Sequence, residues 1–290
     1  MSAWLERCRY GPARPPGVVI LVPHADDGRE LLAEHPEIAD DCVANQELLR
    51  RYLAIEADAG SRELALAVAD RLGADGGAVE VLLPRLPRGL IDPGRVPARA
   101  LRHVFRLDAA PESLSLLGRA HAEVVGEVVT TVRGLDVDQG FFLDLHTMAP
   151  RSPTRMASST EAVEERPNGL NAYVGAFVEA QGDHRVVDLI TRVHGEVVAD
   201  IHLLKALGKA LDAADLPWLQ DQPYSSGSHL VAGLLMRERR GITVDVPKDW
   251  LVAAGPERFV LGAERVDGER VGRVAGAIWE GVLASGDLRP

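Results

Sequence analysis

Two histidines in this chain stand at the ends of apolar runs, each beside carboxylates. His24 follows "VVILVP" and precedes Asp26 and Asp27, and His146 lies in "GFFLDLHTM", two residues after Asp144. A third apolar run, "GITVDVPKDWL", carries Asp245. Neutral imidazoles with one carboxylate are a usual ligand set for catalytic zinc, which keeps a further position open for water. On a strand, residues two apart point to the same side, so Asp144 is placed to orient the imidazole of His146. His229, in the Gly/Ser-rich stretch "YSSGSHLVAG", is a candidate for substrate contact. His121, His194 and His202 fall inside helical patterns and read as surface or packing residues.

Other chemistries find little support. There is no GxGxxG and no P-loop, so nothing points to a nucleotide. "SSGSH" does not have the order of a GxSxG nucleophile elbow. The two cysteines, Cys8 and Cys42, form no CxxC pair, which argues against a thiolate metal site or a disulfide framework.

The elements that must carry these residues alternate along the chain. "GVVILVPH" has no polar face and reads as a buried strand. "DAGSRELALAVADRLGA" has Leu64, Ala67, Val68 and Leu72 at helical spacing, with Ser61 as a candidate N-cap and Gly73 near its end. "AVEVLLPRL" predicts a strand, and "ESLSLLGRAHAEVVGEVVTTVRGL" a long helix. "GFFLDLHTM" and "RRGITVDVPKDWL" predict strands, and "NAYVGAFVEA" a further one. "DHRVVDLITRVHGEVVADI" and "ERVGRVAGAIWEGVLASG" predict helices. This alternation implies an α/β fold with a mostly parallel or mixed central sheet flanked by helices. The polar, Pro-rich segment 149–169 follows a histidine-bearing strand, where open α/β sheets bind ligands, and is the expected active-site loop or lid.

Composition narrows the partners. A net charge of -11 disfavours nucleic acid or an anionic membrane surface, because no basic field would offset phosphate repulsion. With 290 residues, one catalytic domain over 1–290 is the expectation. "MSAWLERCRYGPARPP" has no apolar core of signal-peptide length, and no apolar run approaches the roughly 20 residues of a membrane span, so a cytoplasmic location is expected.

Taken in order, "VPHADD", "EADAGSRELALAVADRL", "PRGLIDPGR", "FFLDLHT" and "GITVDVPKDWL" resemble the N-formylglutamate amidohydrolases, over roughly residues 17–255. The resemblance implies a zinc-carboxypeptidase-like α/β fold, hydrolysis of an N-acyl amide bond, and His24 and His146 as metal ligands. It puts Asp58 forward as the carboxylate ligand or an adjacent acid, with Glu56 close behind. Asp27 is the rival, since His24 and Asp27 have the HxxD spacing of related carboxypeptidases. In "PRGLIDPGR" the residues Arg88, Asp92 and Arg95 match, the arginines as binders of a substrate carboxylate and Asp92 as support. The position that usually holds asparagine is Gly94, and the late-strand glutamate of the family is Asp245 here.

The expected protein is therefore a zinc-dependent amidohydrolase acting on a small, carboxylate-bearing amide substrate. Asp245 would serve as general base and Arg95 and Arg88 would bind the anion. The alternative is a small-molecule-binding protein of the same fold that has lost turnover, which the Gly94 and Asp245 departures motivate. The native metal, the acyl and amine parts of the substrate and the oligomeric state are left open.

Overall fold

The structure is a computed structural model that describes residues 2–151, 169–178, 183–224, 226–253 and 265–286. Its centre is a seven-stranded mixed sheet. The strands of the chain are β1 (Leu5–Tyr10), β2 (Val18–Leu21), β3 (Val79–Pro84), β4 (Phe141–Met148), β5 (Val187–Ile190), the two-residue pair β6 (Arg192–Val193) and β7 (Glu196–Val197), β8 (Trp218–Gln220) and β9 (Gly241–Pro247). The sheet order is β1-β3-β2-β4-β9-β5-β8. Strands β3, β2, β4 and β9 run parallel; β1 pairs antiparallel to β3 and β5 antiparallel to β9, while β8 runs parallel to β5. The chain leaves β2 toward β3 on one side and returns past it to β4 on the other. The ends of β2 and β4 thus form a switch point, where open α/β sheets bind ligands.

The helices are α1 (Arg29–Glu34), α2 (Pro36–Asp40), α3 (Gln46–Glu56), α4 (Ser61–Ala74), α5 (Pro111–Arg133), α6 (Gly169–Val178), α7 (Ile201–Ala213), α8 (Val231–Met236) and α9 (Gly268–Ala284). One core lies between the sheet and α4, α7 and α9; the other lies between the sheet and α3, α5, α6 and α8. The strands show how two cores and one site coexist. Phe141, Leu143 and Leu145 of β4 enter the first core, as do Ile242, Val244 and Val246 of β9. The alternate positions, Asp144 and His146 on β4 and Thr243 and Asp245 on β9, therefore share the opposite face. Register sets them side by side: Asp144 opposite Thr243, and His146 opposite Asp245.

Two expected elements change type. Of the stretch expected as a strand over 171–180, residues 171–178 lie in helix α6, and 179–180 lie outside the described residues. Leu170, Tyr173, Val174 and Phe177 recur at i, i+3, i+4 and i+7, and that spacing outweighs its β-branched and aromatic residues. The helix expected over 183–201 is instead β5 and the short pair β6–β7, with α7 beginning at Ile201. There the period is two: Val187 and Leu189 enter the core while Asp188 faces the other way. Ser61 is the first helical residue rather than the cap, which is Gly60. Segment 152–168, most of the expected lid, lies outside the described residues.

Candidate metal centre

His24 stands three residues beyond β2, and His146 lies on β4 next to it. Asp58 comes from the turn between α3 and α4, where its backbone N–H donates to the carbonyl of His24 (2.8 Å). Three ligand atoms converge. His146 Nδ1 lies 3.1 Å from His24 Nδ1 and 3.1 Å from Asp58 Oδ2, and His24 Nδ1 lies 3.4 Å from the same oxygen. Tetrahedral zinc with ligands at about 2.0–2.1 Å places neighbouring donor atoms about 3.3–3.4 Å apart, so the triangle has the size of such a site. Among the described residues this is the one cluster of three such groups close enough to share an ion.

The far nitrogens of both rings explain why the near ones are available. His24 Nε2 meets Asp92 Oδ1 at 2.8 Å, and His146 Nε2 meets Asp144 Oδ2 at 3.0 Å. A carboxylate only accepts, so each Nε2–H donates and each Nδ1 is left as a lone pair. Two lone pairs and a carboxylate oxygen then face one another, an arrangement that repels unless a cation joins it. Aspartates behind ligating histidines fix the tautomer in just this way. Without an ion, a proton must take its place. Burial opposes charging His146, yet Asp144 and Asp58 hold its pKa well above the usual imidazole value. Burial also opposes the Asp58 carboxylate, but hydrogen bonds from His146 and His24 hold its pKa far below the ordinary range.

Asp92 is the hub of the neighbouring turn. Besides His24, its Oδ1 accepts the Gly94 N–H (2.9 Å), and its Oδ2 accepts Arg95 Nε (3.0 Å). Burial works against ionising it, but His24, Arg88 and Arg102 keep it well below the usual carboxylate range. A Cβ at Gly94 would lie 3.0 Å from His24 Nε2 and 3.1 Å from Asp92 Oδ1, so a side chain there would press on that pair. His121, expected as a surface or packing residue, is buried on α5, with Nε2 3.0 Å from the carbonyls of both Asp92 and Arg95. It pins the turn from below.

Glu56 is not part of the triangle. It is buried against Arg88 (3.3 Å), Arg102 (3.7 Å) and the Tyr173 hydroxyl, which donates to it. Its carboxylate orients arginines rather than meeting the histidines. Asp27 is also outside, which corrects the spacing argument. It is the only predicted site residue that does not line the shared cavity of about 320 Å³. Instead it accepts the Arg29 N–H (3.1 Å) and pairs with the Arg29 guanidinium (2.8 Å). It sits just before Gly28 (φ 79°), the N-cap of α1.

Asp245 lines the cavity beside His146. Its Oδ1 is buried with no hydrogen-bond partner among the described residues. Burial raises its pKa to about 7, with Asp58 and Asp188 adding to the effect and His146 opposing it. An orphan carboxyl oxygen in that range suits proton transfer near neutral pH. Arg88, Arg95 and His229 also line the cavity. Arg185, Tyr224 and Lys248 are there too and were not expected. Arg185 donates to the Tyr224 hydroxyl (2.6 Å). Nothing in the local sequence flags Arg185 and Tyr224, because separate loops at opposite ends of β5 and β8 bring them together. Lys248 sits in the motif "VDVPKDWL", three residues after Asp245.

No protein-family model matches the chain, and no curated protein matches it. Solved structures do. N-formylglutamate amidohydrolase from Ralstonia eutropha JMP134 is similar over 96% of this chain and 96% of its own, at 13% identity and TM-score 0.57. A gene product of Agrobacterium tumefaciens is similar over 96% of this chain and 94% of its own, at 12% identity and TM-score 0.58. The fold is thus the one implied by the resemblance read from the sequence. No helix among the described residues is long and apolar enough to cross a membrane.

Proposed function

We propose that this protein is a metal-dependent hydrolase that cleaves an N-formyl or N-acyl amide bond of a small, carboxylate-bearing substrate. The observation that carries the reading is the triangle of His24 Nδ1, His146 Nδ1 and Asp58 Oδ2, with both far ring nitrogens on buried aspartates. Two imidazoles and a carboxylate suit zinc. An ion held there would supply Lewis-acid polarisation of the amide carbonyl and a lower pKa for water. Similarity to the Ralstonia amidohydrolase supports the choice of amide bond.

The chain's own residues do the rest. Asp245 Oδ1 accepts a proton from the attacking water and passes it to the leaving nitrogen. Asp92 and Asp144 keep the two imidazoles facing the ion. Arg95, held through Nε by Asp92, and Arg88, held between Glu56 and Asp92, present guanidinium groups to a carboxylate of the substrate. His229 adds a contact at the rim.

The test has two parts on the same purified protein. Metal content after purification without chelator should approach one equivalent per chain. Amine release should then be found across a panel of N-formyl and N-acyl amino acids. Absence of any transition metal, with none rebinding, would exclude this reading. Metal uptake with ligand-induced stabilisation but no amine released would assign a binding protein instead.

A further inference from the structure

Asp58 lies on a short connection, and one of the residues that hold it comes from the exit of β9. Helix α3 ends at Glu56, and α4 begins at Ser61. Of the four residues between, Ala57 still donates its N–H to Leu53 (2.9 Å), and the turn is closed by Ala59 N–H to Ala57 (3.1 Å) and Ser61 N–H to Asp58 (3.0 Å). The Asp58 N–H is tied to His24, and the Asp58 carbonyl accepts from the Ser61 hydroxyl (2.6 Å). The Ala59 carbonyl accepts from the Thr147 hydroxyl (3.3 Å). A further anchor is Lys248. It is buried, and its ammonium donates to the carbonyls of Ile55 (2.9 Å) and Ala57. These are last-turn and cap carbonyls of α3, which have no partner within the helix. A cation there also suits the negative end of the helix dipole. The same segment reaches the other end of the turn. Gly60 has φ 84°, and a Cβ on it would lie 2.8 Å from Leu251 Cβ.

We propose that Lys248 is the positioning residue for the Asp58 carboxylate, and that it sets the affinity of the site for its ion. The proposal rests on the metal site put forward above. Lys248 follows Asp245 by three residues, so one stretch of β9 and its exit turn locates both the acid that moves the proton and the acid that holds the ion. A lysine beside a cation site is otherwise unfavourable, since two like charges repel. Its hydrogen bonds to two carbonyls give it a reason to be there that electrostatics alone does not.

That opposition gives the test a sign. Lys248→Met removes the donors and the charge while keeping the length of the side chain. If Lys248 positions Asp58, zinc affinity, measured by competition with a chromogenic chelator, should fall about 10–100-fold, the usual range for residues that orient metal ligands. If it is only a neighbouring charge, affinity should rise, and the proposal is overturned. Val246→Ala is the control, because Val246 is buried in the first core and faces away from the site. It should lower the melting temperature without changing zinc affinity. An equal affinity loss in Val246→Ala would make the Lys248 effect one of general stability and overturn the proposal. Should Lys248→Met fail to fold, Lys248→Gln keeps a donor without the charge. Weaker zinc binding than wild type supports positioning; unchanged or tighter binding overturns it. Wild-type protein that takes up no zinc overturns the metal site together with this role, whereas wild type that binds, with Lys248→Met binding as tightly, overturns this role alone.

Discussion

Asp245 is the residue whose environment says most about its use. Its pKa of about 7 comes first from burial, so the neutral form is favoured at low pH in the metal-free fold. In the unfolded chain the carboxyl returns to the ordinary range near 3.9. The stabilising effect of the bound proton is therefore full below the unfolded pKa and is lost as pH rises through about 7. Metal-free Asp245→Asn cannot ionise, so its melting temperature should fall less between pH 5 and pH 8 than wild type's does. Under the proposed function the working form is the carboxylate, and a bound cation would lower its pKa. The rate should then rise along an acidic limb that lies below about 7, and Asp245→Asn should remove the limb with about 10²–10⁴ of kcat. Metal content in that variant should match wild type; a drop would make Asp245 a ligand instead. The histidines sort the other way. His24→Ala and His146→Ala should lose the metal outright, since each supplies one of three atoms. Asp92→Asn and Asp144→Asn should keep it with affinity reduced about 10–100-fold, read by chelator competition.

At the scale of elements, the strands that carry chemistry were legible and the turns that complete it were not. "VVILVPH" and "FFLDLHTM" announce themselves because buried parallel strands leave no polar face, so a histidine or acid in them stands out. Period two then places Asp144 with His146, and the same period on β9 places Asp245 beside them. The carboxylate of the triangle was harder. Asp27 has the better spacing to His24 in the sequence, but its carboxylate is taken by Arg29 at the entrance to α1, whereas Asp58 arrives from a separate turn by a hydrogen bond to the His24 carbonyl. Spacing along a chain describes a strand or helix well and a turn poorly. His121 shows the same limit. Its helical pattern was visible, but not that its ring would meet the carbonyls of Asp92 and Arg95 from a different element. Burial lowers its pKa, so it acts as a neutral donor. His121→Ala removes its donor from both carbonyls, of which that of Asp92 still accepts the Arg95 N–H (3.1 Å), and should cost about 1–3 kcal/mol of stability. Because the freed turn carries Asp92 and Arg95, KM should rise more than kcat falls; an unchanged KM would reduce His121 to packing alone.

At the scale of the whole molecule, an ion held by the proposed site would add stability to a fold that closes without it. His146 is 122 residues from His24 and 88 from Asp58 in sequence, so the unfolded chain offers the ion no assembled site. Both cores are apolar and close without the ion's help, so the metal-free protein should fold. Binding to the folded state alone then adds stability by mass action, about 2.7 kcal/mol at a free metal concentration 100 times Kd. For a chain of this size that corresponds to a rise in melting temperature of about 5 °C. Chelator-treated protein should therefore melt cooperatively, about that much lower than the zinc-loaded protein. His24→Ala should melt at one temperature with or without zinc. The comparison separates two kinds of failure. If the chelator abolishes folding, the ion is structural and the two cores are not sufficient. If zinc moves neither wild type nor variant, the triangle of His24, Asp58 and His146 holds a proton rather than a metal, and the hydrolytic mechanism loses its centre.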